Sequence, residues 1–252
     1  MDNPERLQRF LVDFAQLPGP KLLVHGGGKI ASAIGQRLGI EAKMVDGRRI
    51  TDAETLDLVT MVYGGLVNKQ VVAQLQAAGC NAIGLTGADA NLILASKRPV
   101  RTIDYGFAGD VAGSDSVNVQ ALQAILSAGL TPVCAPLTHD GKGNILNTNA
   151  DTIASVLATA LATKYNVKLV YCFEKKGVLQ DPEDDDSVFA HIDHQKYSQL
   201  KEEGVVSAGM IPKLDNAFAA LQQGVEQVLI CEAEALASIN TEQYSGTTLS
   251  IK

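Results

Sequence analysis

No apolar run in this sequence approaches the roughly 20 residues that a membrane-spanning helix needs, and no charged, apolar and small-residue leader opens it. The expectation is a cytoplasmic protein without a membrane partner. Basic residues are not in surplus either. Against 28 acidic side chains stand 21 lysines and arginines, a net charge of −7. Nucleic-acid binders present a basic face, so no nucleic-acid partner is expected. Small anionic ligands stay open, because they require only a local positive pocket. The four cysteines, Cys80, Cys134, Cys172 and Cys231, lie far apart with no CxxC pair. A zinc knuckle or a thioredoxin-type site is thereby excluded, and the thiols read as reduced and buried. There is no P-loop, no G-x-S-x-G elbow, and no HRD or DFG signature. No histidine pair has metal-ligand spacing on a buried helix; His191 and His194 flank a polar segment and read as solvated. No metal site is expected.

What is present is globular. Hydrophobic residues make up 46% and charged residues 19% of 252 positions, enough for one large α/β domain or two modest ones. Asn3 and Pro4 mark a helix start, with Leu7, Phe10, Leu11 and Phe14 recurring at helical spacing over 3–16. "KLLVH" reads as a short buried strand, followed by a helix over 28–38 closed by Gly39. "MVDGRRIT" predicts a hairpin with Asp46-Gly47 as its turn. Thr51 and Glu54 predict a capping box for a helix running to about Leu75, interrupted by Gly64-Gly65. "NAIGL" and "TPVCAP" read as strands, 91–112 as a hairpin, and 115–128 as a helix. "THDGKGNILNT" predicts a hairpin around Asp140-Gly141, and Asn149 caps the next helix. A second unit is expected from residue 166, giving domains 1–165 and 166–252. It holds the strands "VKLVYCF", "EQVLIC" and "GTTLSIK", helices near 193–203 and 211–223, and the acidic loop "DPEDDDS". Alternating strands and helices predict an α/β fold, a mostly parallel sheet with helices on both faces.

"VHGGGKIASAIG" raises the chemical question. Gly26, Gly28 and Ala31 fit G-x-G-x-x-A, with Asp46 twenty residues on, as a dinucleotide-binding loop would have. That acid should end a buried strand, however, and Asp46 falls in an Asp-Gly turn. A strand ending in glycines at a helix start is also an anion site, through free N–H groups and the helix dipole. "DGRRIT" adds Arg48 and Arg49, and arginine grips a carboxylate through two parallel hydrogen bonds. "LNTNAD" adds Asn147, Asn149 and Asp151 at another helix start, and "AGMIPK" adds Lys213. Together these types suit an anionic substrate and phosphates. Each has a plainer reading: Asn149 as a cap, Asn147 as a hairpin residue, Lys213 as a surface lysine, and Arg49 as a partner of Asp52 or Glu54.

"VHGGG", "DGRRIT", "GGLVNK", "LTGAD", "YGFAGDV", "LNTNAD", "SAGMIPK" and "GTTLSI" follow one another in the order that the amino acid kinase family shows. From about residue 20 to its end the chain resembles the branch of that family that phosphorylates N-acylated glutamate. The resemblance implies a three-layer α/β/α sandwich in two lobes, the first for the acyl-amino acid and the second for ATP. The implied reaction moves the γ-phosphoryl of ATP, with Mg²⁺ carried by the nucleotide, onto the side-chain carboxylate of N-acetyl-L-glutamate. N-succinylglutamate is the alternative substrate. Gly26 and Gly27 then correspond to substrate-side glycines, Arg49 to the clamp on the α-carboxylate, and Asn147 to a second substrate contact. Lys213 corresponds to the transition-state stabiliser and Asp151 to the carboxylate that orients lysines. Glu174, Lys175, Lys176, Gly177, Val178, Leu179, Val205, Val206 and Ser207 fall where the family holds the nucleotide. A homodimer through the helix at 52–75 is also implied. Two departures stand out. "CFEKKGVL" replaces the family's Asp-Val-x-Gly-Val, and Met1 stands directly before the first helix, where the family has a strand reading Lys-x-Gly-Gly. That strand and its lysine are expected to be missing, through a truncated or misassigned start foremost; a catalytically impaired relative is the other alternative, unless a lysine such as Lys29 substitutes.

Overall fold

The computed structural model describes residues 3–45, 47–181, 183–206 and 210–251, with Pro212 through its backbone alone. The chain forms two compact units, Met1–Ile153 and Ala154–Lys252. The division falls inside a helix that the sequence reading assigns wholly to the first domain.

The first unit begins with α1 (Pro4–Gln16), where the Asn3 side chain accepts the N–H groups of Glu5 and Arg6 at 3.0 and 3.1 Å. β1 (Leu23–Val24) leads into α2 (Gly28–Leu38), which Gly39 closes in the left-handed conformation, φ 77°. β2 (Met44–Val45) and β3 (Arg48–Arg49) pair antiparallel, Met44 opposite Arg49. Asp46, in the turn and in the dinucleotide motif, lies outside the described residues. α3 (Ala53–Val59), a π-helical stretch (Thr60–Val67) and α4 (Asn68–Ala77) follow without a break. The rest of the unit is β4 (Ala82–Leu85), β5 (Ser96–Lys97), β6 (Gly109–Asp110), α5 (Val119–Ser127), β7 (Thr131–Cys134), β8 (Leu137–His139), β9 (Ile145–Asn147) and the first residues of α6 (Ala150–Ala162). β1, β7 and β4 form a parallel sheet in that order. Leu75, Leu92, Ile93, Leu122, Leu137 and Leu146 are buried in this unit.

One expectation is corrected here. The cap of α3 is Asp52, not Thr51. The Asp52 carboxylate accepts the Thr55 N–H at 2.9 Å, while Thr51 is held in a bridge whose N–H donates to Tyr105 O. Asp is as good a cap as Ser, so the competing strand contact moved the boundary by one residue. The long helix is interrupted in its middle, as Gly64-Gly65 implies. Its wider middle turns carry Gly64-Gly65, and a Cβ on Gly64 would already touch Leu137 and Thr86. π-turns inside α-helices often accompany functional sites.

The second unit holds β10 (Lys168–Phe173), β11 (His191–Asp193), α7 (His194–Glu202), α8 (Ile211–Gln222), β12 (Gln227–Glu232) and β13 (Thr247–Ser250). The sheet order is β10–β12–β13–β11. β10 is parallel to β12 and β11 to β13, while β12 and β13 are antiparallel. Tyr171, Ile192, Leu214, Phe218, Val228 and Ile230 pack as its core. The class is α/β, as the alternation of elements predicts: the two larger sheets are mostly parallel and the three two-stranded ones are antiparallel. Among the described residues, no helix is long and apolar enough to cross a membrane.

Candidate active site

The glycine loop of the first unit sits between β1 and α2. His25, 5% exposed, anchors it. Its Nδ1 lies 2.7 Å from Gly26 O, and its Nε2 lies 3.1 Å from Asn68 Nδ2. A carbonyl only accepts and an amide nitrogen only donates, so Nδ1 carries the proton and Nε2 accepts. Asn68 also donates to Val133 O at 2.9 Å. The loop is thereby tied to the start of α4 and to β7. Burial lowers the His25 pKa, opposed by its bond to Gly26. A lowered pKa means the neutral ring is the native form. Its contribution is complete above the ordinary value of 6.5 and is lost as pH falls below it, because only the unfolded chain then takes the proton. Urea titrations across this range should show stability dropping on acidification, and a smaller drop in His25→Gln. Equal drops in both would refute this account of His25.

Gly27 caps α2 and lies against Tyr63. A Cβ there would come within 2.9 Å of the ring, whereas Cβ atoms on Gly26 or Gly28 would meet nothing within 4 Å. The loop backbone is therefore packed on one side and open on the other. Arg49, brought alongside by β3, is 8% exposed. Its Nη2 donates to Gly28 O at 3.0 Å and Ser32 Oγ at 2.8 Å, and the guanidinium also reaches Tyr63, whose hydroxyl burial makes a weaker acid. No carboxylate among the described residues pairs with it. Of the two plainer partners for Arg49, Asp52 and Glu54, Asp52 caps α3 instead. A buried guanidinium without an anion is costly unless an anionic ligand completes it.

Asn147 joins this group through Thr51. Its Nδ2 donates to Thr51 Oγ1 at 2.9 Å, and Thr51 Oγ1 donates to Arg49 O at 3.1 Å. The Asn147 N–H donates to Phe107 O, and the Phe107 N–H to Thr51 O. Gly26, Gly27, Arg49 and Asn147 thus form one connected set. Thr51, Tyr63, Ser32, His25 and Asn68 belong to it, and the sequence motifs do not mark them as site residues. Thr51 and His25 stood inside the motifs themselves, but nothing in their spacing told of hydrogen bonds spanning 96 and 43 residues. Gly106 makes the crossing possible. Its φ is +65°, and a Cβ there would lie 2.1 Å from Thr51 O. Gly106→Ala should cost at least about 2 kcal/mol, from left-handed strain and the clash together. Gly113→Ala, with open space around it, is the control in chemical denaturation.

Asp151 lies in the first turn of α6, where its N–H donates to Asn149 Oδ1 at 2.7 Å. Asn149 is therefore a cap, its plainer reading.

In the second unit, Lys213 is the third residue of α8, and its ammonium stands 3.7 Å from the ring centre of Phe173 at the end of β10. Glu174 and Lys175 are exposed and Lys176 partly so; Lys175 pairs with Asp185 and Lys176 with Asp186. The acidic loop is a counter-charge for these lysines. Gly177 is buried. A Cβ there would fall 2.6 Å from Thr247 Oγ1, the hydroxyl that accepts the Val178 N–H. Val178 is buried, and Leu179 bridges to Val188. Val205 is half-buried and Val206 buried; Ser207 lies outside the described residues. Among the described residues, no three His, Cys, Asp or Glu side chains cluster as metal ligands.

The family model for the amino acid kinase family matches residues 1–232. An acetylglutamate kinase of Cytophaga hutchinsonii is 61% identical over 251 residues, covering 99% of this chain and 94% of that one. An acetylglutamate kinase of Phocaeicola vulgatus is 57% identical over 249 residues, with 99% and 94% covered. Among solved structures, N-acetylglutamate synthase from Neisseria gonorrhoeae, complexed with coenzyme A and N-acetyl-glutamate, superposes with a TM-score of 0.83. It is 22% identical, covers 99% of this chain and 57% of that chain, and so bears on the fold alone.

Proposed function

The chain belongs to the amino acid kinase family, and on that premise we propose that it transfers the γ-phosphoryl of ATP to the side-chain carboxylate of N-acetyl-L-glutamate, a step of arginine biosynthesis. The observation that carries this reading is Arg49, buried, without a carboxylate partner among the described residues, beside an open glycine loop. Both relatives named above are acetylglutamate kinases, which favours the acetyl over the succinyl compound.

The first unit holds the acyl-amino acid. Arg49 grips its α-carboxylate, the N–H groups at Gly26 and Gly27 face the carboxylate that reacts, and Asn147 holds the acyl-amino end. The second unit holds the nucleotide along 174–179 and 205–207. A carboxylate is already a nucleophile at neutral pH, so the chain has no proton to remove. Its task is alignment and charge neutralisation. Lys213 offsets the charge spread over the transferring group, and Asp151 orients the lysines. Magnesium, carried on the phosphates, supplies further neutralisation when bound.

A hydroxamate trap for the acyl phosphate, run with MgATP and either N-acetyl- or N-succinyl-L-glutamate, tests the reading. Signal with the acetyl compound supports it, and none with either compound refutes it. The partner proposed besides these substrates is a second copy of the chain. Met61 and Leu66 on the π-helical stretch are 58% and 41% exposed, and large exposed apolar side chains favour docking. Light scattering on wild type and Met61→Lys tests this. The setting proposed is the cytoplasm.

A further inference from the structure

β10 and β12 run parallel with Cys172 directly in register with Cys231. Side chains in register on neighbouring strands project from the same face. Tyr171 and Ile230, one residue earlier on each strand, point into the core of the unit, so the two thiols stand together on the opposite face. Both are free, Cys231 is fully buried and Cys172 half-buried. The two thiols perturb each other, with the Tyr244 hydroxyl beside them donating to Ile230 O at 3.1 Å. The influence of Cys172, opposed by burial and aided by Tyr244, lowers the Cys231 pKa. Cys172 is shifted upwards by Cys231 and by burial. Neighbouring strands lie about 4.7–4.9 Å apart, inside the Cα separation of roughly 4.4–6.8 Å that a disulfide spans. Nothing in the phosphoryl-transfer chemistry uses either sulfur.

We propose that Cys172 and Cys231 form an oxidisable dithiol, a site at which a peroxide closes a disulfide between β10 and β12 and lowers turnover. The Cys231 thiolate gives an electron pair to one peroxide oxygen. The O–O bond breaks, and the departing hydroxide takes up a proton to become water. Cys172 sulfur then displaces hydroxide from the Cys231 sulfenic acid. The S–S bond forms, and the Cys172 proton leaves with that hydroxide as a second water. Two thiols lose two electrons, and one peroxide becomes two waters. Half-buried Cys172 marks the side from which a water-sized oxidant arrives. The effect on turnover rests on the role proposed above for Lys213: Phe173, whose ring carries the Lys213 ammonium, follows Cys172 directly. Cys80 and Cys134 are internal controls. Cys80 donates to Thr131 Oγ1, and burial raises the Cys134 thiol to about 12.

The experiment treats the full chain with graded hydrogen peroxide, blocks free thiols with iodoacetamide under denaturing conditions, and maps peptides by mass spectrometry without reduction. The expected result is a Cys172–Cys231 link lacking two hydrogens, with Cys80 and Cys134 alkylated. Turnover should fall with the linked fraction and return with dithiothreitol, while Cys172→Ala, checked for wild-type melting behaviour, keeps its turnover under peroxide. Separate alkylation of Cys172 and Cys231, or over-oxidation without a link, overturns the dithiol site. A link that leaves turnover unchanged overturns the control. Absence of turnover before any oxidant overturns the kinase reading instead, and the mass map still reads the link.

Discussion

Replacing Lys213 with alanine is expected to lower kcat about 10²–10³-fold, the usual effect of removing one donor aimed at developing charge, roughly 3–4 kcal/mol. The KM for N-acetyl-L-glutamate should change little, because the interaction lost is one made in the transition state. Lys213 occupies the first turn of α8 and lies over Phe173, so its ammonium is held by an aromatic face as well as by its helix. Phe173→Leu therefore serves as the companion variant. It keeps the charge and removes the ring, and a cation–π contact is worth about 0.5–2 kcal/mol. Its loss of turnover should be the smaller of the two. Steady-state kinetics on both, with circular dichroism to confirm the fold, checks the assignment. Wild-type turnover in Lys213→Ala would remove Lys213 from the site.

The second large effect is at Arg49. Arg49→Ala should raise the KM for N-acetyl-L-glutamate roughly 10–100-fold, as loss of a charge-assisted bond worth about 1.5–3 kcal/mol implies. The KM for ATP should stay within a small factor. Arg49→Lys separates charge from geometry. A lysine keeps the charge but cannot reproduce a planar fork that donates to Gly28 O and Ser32 Oγ on one side while gripping a carboxylate on the other. Little recovery is expected. Full recovery by lysine would show that charge alone matters and that the ties to α2 do not set the clamp. Isothermal titration with the acyl-amino acid alone reads the same loss without turnover.

Short-range features are legible in the sequence. The Asn3 cap, Pro4 at the first helical position and the left-handed Gly39 depend on neighbours in sequence. The hairpin from Leu137 to Asn147 likewise follows from its own Asp-Gly turn. The α3 cap shows where such reading stops. Thr51 and Asp52 are equally plausible caps, and a strand contact from Gly106, far along the chain, decides between them.

The family, the α/β class and the residue types that a carboxylate–phosphate site would draw on are all written along the chain, because eight ordered motifs and the apolar periodicity are local properties. Folding is what buries Arg49 beside the glycine loop without a carboxylate partner among the described residues. Folding also joins Arg49 to Asn147 through Thr51, binds His25 to Asn68, and sets Cys172 opposite Cys231. Each of these depends on strand register and on hydrogen bonds between residues dozens of positions apart. Spacing along the chain carries no record of which distant partner a buried polar group will meet.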